Sequence, residues 1–435
     1  METPENPKKP LLSPVLKTFM ATMILANIAG GMWGSFLPLY LKSLGANVTQ
    51  IGLFFTISQI IPLILQILGG WISDNLGRLR SVAFGSLFGV LQYIGLILAP
   101  TWIWVLIGQG LGAITHALVG PSFSAFIAEE SSAENRGQVY GTTEAIFTIV
   151  SIVGPPFGGY LTDHYGFKLM LIVSGIIYTI ATVLRIIMAK HATPQKTADK
   201  KVKLDLGSLK VNLGAMVGLI IAGGVMTWIM VTDGIRDISF SLWGNLLPVY
   251  LEDLGGMNAQ KIGWLFSIMS VATMLINIPA GKMADRKGEK PAIMIGFVAQ
   301  ATAVFLFVSA SNFYLFALAF VFFGIGSGLM GPAYQSLLSK VLPERLRGTG
   351  FGLIQSSLGV FSLPAPAIGA AMYNNVSPKS PFLVTAWVSL LALIPAFLKF
   401  KVDDKDQQAI AKAEEKLDQY QDTQTRAEQE ETPTK

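Results

Sequence analysis

Apolar runs long enough to cross a bilayer recur about a dozen times along this chain. A transmembrane helix needs about 20 predominantly apolar residues, because the hydrocarbon core is about 30 Å thick. A transmembrane barrel would instead need short segments of alternating hydrophobicity. Of the 435 residues, 51% are hydrophobic and only 14% are charged, and the mean hydropathy is +0.53. Because this is too apolar for an ordinary soluble domain, we expect an all-α, multi-pass membrane protein.

The apolar runs predict twelve transmembrane helices in two sets of six. The first six spans lie near residues 15–41, 50–69, 81–99, 102–128, 139–162 and 167–189, and the second six near 226–251, 262–284, 291–310, 313–339, 350–373 and 381–400. The first run is longer than the apolar core of a signal peptide, so we expect it to be an uncleaved span. The chain therefore divides into an N-terminal six-helix bundle (1–190), a cytoplasmic linker (191–210), a C-terminal six-helix bundle (211–400) and a cytoplasmic polar tail (401–435).

The two sets of spans are copies of one half. The loop from Gly70 to Arg80, between spans 2 and 3, returns as the loop from Gly281 to Lys290. One shift of 211 positions carries Asp74 to Asp285, Pro121 to Pro332, Arg136-Gly137 to Arg347-Gly348, Gly141 to Gly352 and Pro155 to Pro366. A register kept over such a length is typical of the internal repeats of secondary transporters.

The apolar run that contains span 7 is too long for one helix. From Val211 to Leu251 it would extend about 60 Å, which is twice the hydrocarbon thickness. The stretch from Trp33 to Leu41 matches the stretch from Trp243 to Leu251, so span 7 is the counterpart of span 1. We expect the residues before span 7 to form an interfacial lead-in that bends at Gly223-Gly224.

The distribution of basic residues predicts the orientation, because cytoplasmic loops collect lysine and arginine. With both termini inside, the outer loops carry only Lys42, Lys168, Lys261 and Lys379. We therefore expect a plasma membrane protein with both termini in the cytoplasm. This asymmetry also explains the net charge of +5 without a nucleic-acid partner.

The tail after Lys401 is polar and acidic. The apolar residues Ile410, Ala413, Leu417 and Tyr420 have the spacing of a stripe along a short helix. The alternative, which we favour from the composition, is a solvated tail with no role in transport.

The repeated loop resembles a signature of the major facilitator superfamily. That family carries Gly-x-x-x-Asp-x-x-Gly-Arg/Lys between helices 2 and 3, and often a weaker copy between helices 8 and 9. Gly70, Asp74, Gly77 and Arg78 match the signature, and Gly281, Asp285 and Gly288 match the copy. The resemblance covers about residues 15–400 and implies solute transport by alternating access.

We expect the two loops to take part in a cytoplasmic gate. A carboxylate at a membrane-edge helix end is costly unless it is paired. Asp74 precedes Arg136 by 62 positions, and Asp285 precedes Arg347 by the same distance. The hypothesis is that these pairs form when the inner side closes. The alternative is that Asp74 and Arg78 only fix topology and helix packing.

Span 5 carries Gly141 and then Gly154-Pro155-Pro156-Phe157-Gly158-Gly159, which resembles the antiporter motif of drug:proton exchangers in this superfamily. One glycine of that motif is Val150 here. Glycines on one face let helices approach closely, so tight packing explains this run as well as antiport does. Leu106 in span 4 stands where those exchangers carry an arginine, which argues against proton coupling through that position.

The sharpest prediction of a site is the sequence Asp233-Gly-Ile-Arg236-Asp237 in span 7. At about 100° per residue, Asp233, Asp237, Ser241 and Gly244 share one stripe of a helix, and Arg236 lies beside it. Charge is expensive in lipid, so this stripe should face a watery cavity and bind substrate or a proton. The residue of span 1 that aligns with Asp237 is the neutral Asn27. The alternative is a static ion-pair cluster that holds span 7 to its neighbours.

Other polar residues within spans are weaker candidates for the same site. They are Glu144 in span 5, His116 and Gln109 in span 4, and Tyr334 and Gln335 in span 10. We expect Glu144 either to carry a proton or to pair with a cation of an inner loop. We expect His116 either to bind the substrate or to make a hydrogen bond between two helices. We expect Gln92 to make a packing hydrogen bond and Arg185 to snorkel to the inner surface.

Sequence motifs of enzymes and ATPases are missing from the chain, which has no cysteine. It contains no His-Glu-x-x-His, Gly-x-Ser-x-Gly or Gly-x-x-x-x-Gly-Lys motif. We therefore expect no enzyme activity, no cofactor and no metal site. The leading hypothesis is a monomeric secondary transporter in the lipid bilayer that exports a small organic solute by proton coupling. The alternatives are a proton-coupled symporter that imports a sugar or metabolite, and a membrane receptor or sensor without transport.

Overall fold

The computed structural model describes residues 13–65, 77–131, 136–191, 206–343 and 359–431. These ranges form α-helices, turns and one short 3-10 helix, and they contain no β-strand. The helices are α1 (Pro14–Gly34), α2 (Leu37–Ser43), α3 (Val48–Ser58), α4 (Arg78–Leu98), α5 (Val105–Glu130), α6 (Arg136–His191), α7 (Leu206–Ile221), α8 (Val225–Ser241), the 3-10 helix Gly244–Leu246, α9 (Leu247–Asp253), α10 (Ala259–Lys287), α11 (Glu289–Ser309), α12 (Phe313–Val341), α13 (Ala365–Asn375), α14 (Ser380–Lys399) and α15 (Asp404–Glu431).

The all-α membrane class predicted from the sequence is confirmed. In the described ranges, nine helices are long and apolar enough to cross a membrane, and a bent pair of helices makes a tenth. The segment α6 covers both predicted spans 5 and 6, and it consists of two helices separated by a kink at Gly166, where φ is +81°. Predicted span 11 begins outside the described residues, so the count of twelve stays a prediction.

The predicted bend before span 7 is confirmed. The helices Gly214–Ile221 and Val225–Asp253 meet at 88°. Gly223 has φ +78°, a conformation that glycine adopts without a steric penalty. The Thr227 hydroxyl stabilises the bend, since it accepts a hydrogen bond from the Gly223 amide at 2.9 Å and donates one to the Ile220 carbonyl.

Spans 1 and 7 are interrupted at matching places. The first breaks between Gly34 and Leu37, and the second between Ser241 and Leu247. A proline follows each break, Pro38 and Pro248, and a proline ring clashes with the carbonyl four residues earlier. The predicted stripe on span 7 is therefore wrong at its last residue, because Gly244 lies in the 3-10 helix instead of on α8.

Contacts between Cα atoms divide the chain into two compact units. Unit 1 comprises Met1–Asn47, Ile57–Lys200 and Leu251–Ser267, and unit 2 comprises Val48–Thr56, Lys201–Tyr250 and Ile268–Lys435. Each unit thus contains a short segment from the opposite sequence repeat: the start of α10 in unit 1 and most of α3 in unit 2.

In unit 1, α1 packs along α6, and α4 packs along α5. Phe19 of α1 stacks on Phe123 of α5 with ring centroids 5.5 Å apart, and it contacts the tilted ring of Phe126 at 4.5 Å. These rings belong to an apolar cluster that also contains Leu16 and Val139. Close packing of such large side chains holds membrane helices together through van der Waals contacts.

The prediction that Arg185 snorkels is wrong, because its side chain turns into unit 1 and is only 2% exposed. Its guanidinium donates to the Ser86 hydroxyl at 2.7 Å and to the Thr22 carbonyl at 3.4 Å. It also lies 5.8 Å from the centre of the Tyr178 ring. Two hydroxyl-bearing helices and an aromatic face thus replace water around this cation.

The core of unit 2 includes the C-terminal helix α15. Ala413 and Leu417 are buried in the same apolar cluster as Met216 and Leu219 of α7. Asp406 is 5% exposed, and its Oδ1 accepts a hydrogen bond from the Val225 amide at 2.7 Å, at the first residue of α8. The predicted solvated tail is therefore wrong for this part of the helix, and the alternative reading of an apolar stripe is correct.

Candidate functional site

Three charged side chains lie together on α8. Arg236 Nη2 lies 2.5 Å from Asp233 Oδ1 and 3.3 Å from Asp237 Oδ1. The helix brings Asp233 and Arg236 onto one face, because residues three apart are neighbours on a helix surface. One guanidinium is therefore shared by two carboxylates.

Tyr334 of α12 completes the cluster from a second helix. Its ring centre lies 5.3 Å from the Arg236 guanidinium carbon, within the range of a cation–π interaction. Met330, one turn earlier on α12, places its sulfur 3.7 Å from Arg236 Nη1. Arg236 is thus held by two acids of its own helix and by two side chains of α12.

Exposure distinguishes the two carboxylates of the cluster. The side chain of Asp233 is 18% exposed, whereas that of Asp237 is 41% exposed, and Arg236 lies between them at 22%. Asp233 is therefore the more buried partner of Arg236, and Asp237 is the more exposed one. Gln335 is exposed on α12, next to Tyr334 in sequence.

The other predicted residues lie in unit 1. Asn27 donates to the Met23 carbonyl of its own helix at 2.9 Å. Gln109 accepts a hydrogen bond from Gln92 at 3.3 Å, so the packing bond expected of Gln92 is confirmed and joins α4 to α5. His116 and Glu144 are exposed. Within the described ranges, neither of these two side chains is hydrogen-bonded or ion-paired.

The glycines of the span 5 motif lie where α6 touches other helices. A Cβ atom on Gly158 would lie 1.8 Å from the Met32 carbonyl oxygen, and one on Gly154 would lie 3.1 Å from Gly31. Gly159 approaches the start of α10, where a Cβ atom would lie 2.5 Å from the Ala259 oxygen. Only backbones without side chains can come this close, so the run serves tight packing, whatever else it does. Among the described residues, no atom lies within 4 Å of the place that a Cβ atom on Gly141 would take.

The helix packing around Pro155 is repeated in the other unit. A Cβ atom on Gly263 would lie 2.5 Å from the Pro155 oxygen, and a Cβ atom on Gly52 would lie 2.6 Å from the Pro366 oxygen. Gly52 and Gly263 are 211 positions apart, as are Pro155 and Pro366. The sequence repeat is therefore also a repeat of contacts.

Sequence reasoning missed a polar cluster at the end of α2 in unit 1. Lys42 Nζ lies 2.5 Å from Glu252 and also pairs with Asp253. Partial burial lowers the pKa of Lys42, but the hydrogen bonds to Asp253 and Glu252 outweigh this effect and hold the pKa above its ordinary value. Nearby, Asp163 caps α10 by accepting the Ala259 and Gln260 amides at 3.0 and 2.9 Å. The available signal was the repeat, since the match of Trp33–Leu41 with Trp243–Leu251 makes Glu252 the equivalent of Lys42.

The gate residues are only partly described. Gly77 and Gly288 precede α4 and α11 with φ of +85° and +83°, which explains why both loops carry glycine there. Arg78 Nε lies 3.0 Å from Glu129, and Asp285 is exposed. Gly70, Asp74 and Arg347 lie outside the described residues, as does the side chain of Arg136, so both predicted gate pairs stay predictions.

Comparisons with known proteins identify the family of the chain. The sequence model of the Major Facilitator Superfamily matches residues 19–255 and 229–431. The chain is 23% identical over 380 residues to a multi-drug resistance efflux pump PmrA homolog of Lactococcus lactis, covering 84% of this chain and 90% of that protein. It is 25% identical over 422 residues to the multidrug resistance protein MdtG of Klebsiella pneumoniae, covering 92% and 95%.

Solved structures share the fold at low sequence identity. The nucleoside transporter NupG superposes with a TM-score of 0.73 at 14% identity, over 89% of this chain and 100% of that chain. A bacterial homologue of the iron transporter ferroportin, in an inward-facing state, gives a TM-score of 0.69 at 15% identity, over 88% and 98% of the two chains. With most of its length matched by the family, the chain belongs to the Major Facilitator Superfamily and is a membrane transporter.

Proposed function

We propose that the protein exports a small organic solute in exchange for protons by alternating access. The observation that carries this proposal is the sharing of one guanidinium by Asp233 and Asp237. With all three groups ionised, the cluster has one negative charge in excess. An uncompensated charge within a membrane span is costly, so the cluster favours a ligand that supplies one positive charge.

A proton or a cationic solute can each supply this one positive charge. Once one of them is bound, the cluster is neutral and no longer favours the other. Asp237 is the site of exchange in this proposal, because it is the more exposed carboxylate and the more weakly paired one. Asp233 keeps Arg236 in place from the buried side. Mutual exclusion of proton and solute at one carboxylate couples their movements in opposite directions.

Alternating access requires contacts that form on one side of the membrane and break on the other. We assign the Lys42 cluster and the Asp163 cap to the outer side, and the Asp74–Arg136 and Asp285–Arg347 pairs to the inner gate. Support comes from the pseudo-symmetric contacts of Gly52 and Gly263, which place segments of each sequence repeat against helices of the other.

The direction of transport follows from the relatives, whose names describe multidrug efflux. We place the protein in the plasma membrane as a monomer, with both termini in the cytoplasm. Its substrate class is a lipophilic organic cation, because the cluster of two carboxylates and one guanidinium has one negative charge in excess.

Transport in proteoliposomes tests the proposal directly. Vesicles with an acidic lumen should accumulate a lipophilic cation such as tetraphenylphosphonium, because outward proton flow drives the solute inward by exchange. Accumulation only with an alkaline lumen would indicate symport. No protein-dependent movement in either gradient, across a panel of organic cations, anions and sugars, would indicate a receptor or sensor.

A further inference from the structure

A groove of about 560 Å³ runs between α7 and α15 in unit 2. One wall is the apolar surface of α7, with Ala215, Gly218 and Ala222, and the other wall includes Lys412 and Lys416 of α15. From these walls we infer that the groove binds an anionic phospholipid, with its phosphate on the lysines and its glycerol and upper acyl chain on α7. This inference is independent of the transported solute.

The lysines of α15 are segregated toward this groove. Lys405, Lys412 and Lys416 are the lysines of the helix, and all three line the groove. Their spacing of seven and four residues places them within a stripe about 40° wide. Glu415 is the one acidic residue among the groove's lining, which leaves two positive charges in excess. Neither Lys412 nor Lys416 forms an ion pair with a described residue, so both ammonium groups are available to a ligand.

The bend at Gly223 places the groove at the level of lipid headgroups. Because the segment Val225–Asp253 makes up one membrane span, a helix at 88° to it runs along the membrane surface. The exposed face of α7 is apolar, with Ile221 74% and Val217 47% exposed, as expected for a helix that rests in the bilayer interface. A basic groove beside such a helix is suited to an anionic headgroup.

The groove is held in shape by buried contacts. Asp406 ties the start of α15 to the start of α8, and Leu417 packs into the apolar cluster beneath the groove. A Cβ atom on Gly218 would meet nothing within 4 Å, so this position leaves room for a lipid chain. A groove with lysines on one wall and an open apolar surface on the other suits an amphiphilic anion better than a soluble one.

Native mass spectrometry of the full-length protein in detergent tests this inference. Short-chain phosphatidylglycerol, phosphatidylcholine and inorganic phosphate are the probes. We expect one phosphatidylglycerol to bind more tightly than phosphatidylcholine. Lys412→Gln with Lys416→Gln should weaken that binding on the order of 10- to 30-fold. The matched control is Lys399→Gln with Lys401→Gln, which removes the same charge from exposed positions beside α15 and should leave the affinity unchanged.

A second variant separates the groove from general charge effects. Gly218→Leu fills the groove without changing the charge, and it should also displace phosphatidylglycerol. Equal binding of the two lipids, or unchanged phosphatidylglycerol affinity in both groove variants, would overturn the inference. Competition by millimolar phosphate, with no preference for the lipid, would assign the groove to a free anion and would also overturn it.

Discussion

Glu289 Oε1 lies 2.6 Å from Lys340 Nζ, and this ion pair repeats the pair of Arg78 and Glu129 with the signs exchanged. Glu289 is 211 positions after Arg78, and Lys340 is 211 positions after Glu129. In each unit the pair links the first residue of one helix to the last turn of the next. The repeat thus keeps the attraction between two positions while it reverses the charge at both.

The helix dipoles make the two pairs unequal. Glu289 is at the N-terminus of α11 and Lys340 near the C-terminus of α12, which is the favourable arrangement, whereas Arg78 and Glu129 have the unfavourable one. We therefore expect Glu289→Lys to destabilise the protein by about 1 to 3 kcal/mol, and added Lys340→Glu to restore part of the loss. Thermal unfolding in detergent measures both. The double exchange Arg78→Glu with Glu129→Arg should be no less stable than the natural protein. A marked loss in that variant would show that the sign of the pair matters for another reason.

Asp237→Asn should abolish transport driven by a proton gradient while preserving solute exchange between vesicles, if Asp237 carries the coupling proton. If the carboxylate instead binds a cationic solute, the binding free energy should fall by about 1 to 3 kcal/mol. Equilibrium binding and gradient-driven uptake separate these cases. Asp233→Asn is the matched comparison, because it removes the same charge from the buried partner of Arg236 and should mainly reduce thermal stability. Normal binding and normal proton-driven transport in folded Asp237→Asn would leave only a static ion-pair cluster.

Asp74→Asn or Arg136→Ala should slow transport while leaving substrate affinity within a few fold, because a gate affects the interconversion of states and not the site. The absence of cysteine makes accessibility of introduced cysteines a clean readout of which side the cavity faces. Unchanged accessibility on both sides in these variants would contradict the gate assignment.

Gly158→Ala should lower stability or prevent folding, since the added Cβ atom would lie 1.8 Å from the Met32 carbonyl oxygen. Overpacking of this kind costs about 1 to 3 kcal/mol or more. Gly141→Ala, in the same helix and in open space, is the control and should fold normally. Thermal unfolding of the two variants side by side decides the question, and equal stability would argue against close α1–α6 packing.

Lys42 should stabilise the protein up to alkaline pH. Its pKa is raised in the folded state by Asp253 and Glu252 against the effect of partial burial, so its contribution is fully present below the unfolded pKa of about 10.4. That contribution is lost as the pH rises through the higher folded pKa. The difference in melting temperature between the natural protein and Lys42→Met should therefore be constant up to about pH 10 and shrink above it. Lys379→Met, at another predicted outer loop, should show no such trend.

The sequence predicts a structural feature correctly when that feature is caused by neighbouring residues or by the internal repeat. Gly223 bends the chain through its own backbone freedom, and Asp233 meets Arg236 because of helical spacing. Arg185 shows the limit, because its partner Thr22 is 163 positions away and only packing brings them together. The same holds for α15: its apolar stripe is visible in the sequence, but the α7 surface that buries it is known only from the fold.

Lys42 and Glu252 occupy equivalent positions of the two repeats, because the match of Trp33–Leu41 with Trp243–Leu251 carries one to the other, and yet they contact each other. In a symmetric pair of identical copies, a position that contacts its equivalent faces itself. Lysine would then face lysine, or glutamate would face glutamate, and the contact would be repulsive. This attraction therefore belongs to a fused chain whose halves have diverged. It could not have existed in a homodimeric ancestor, where one gene would have encoded both sides.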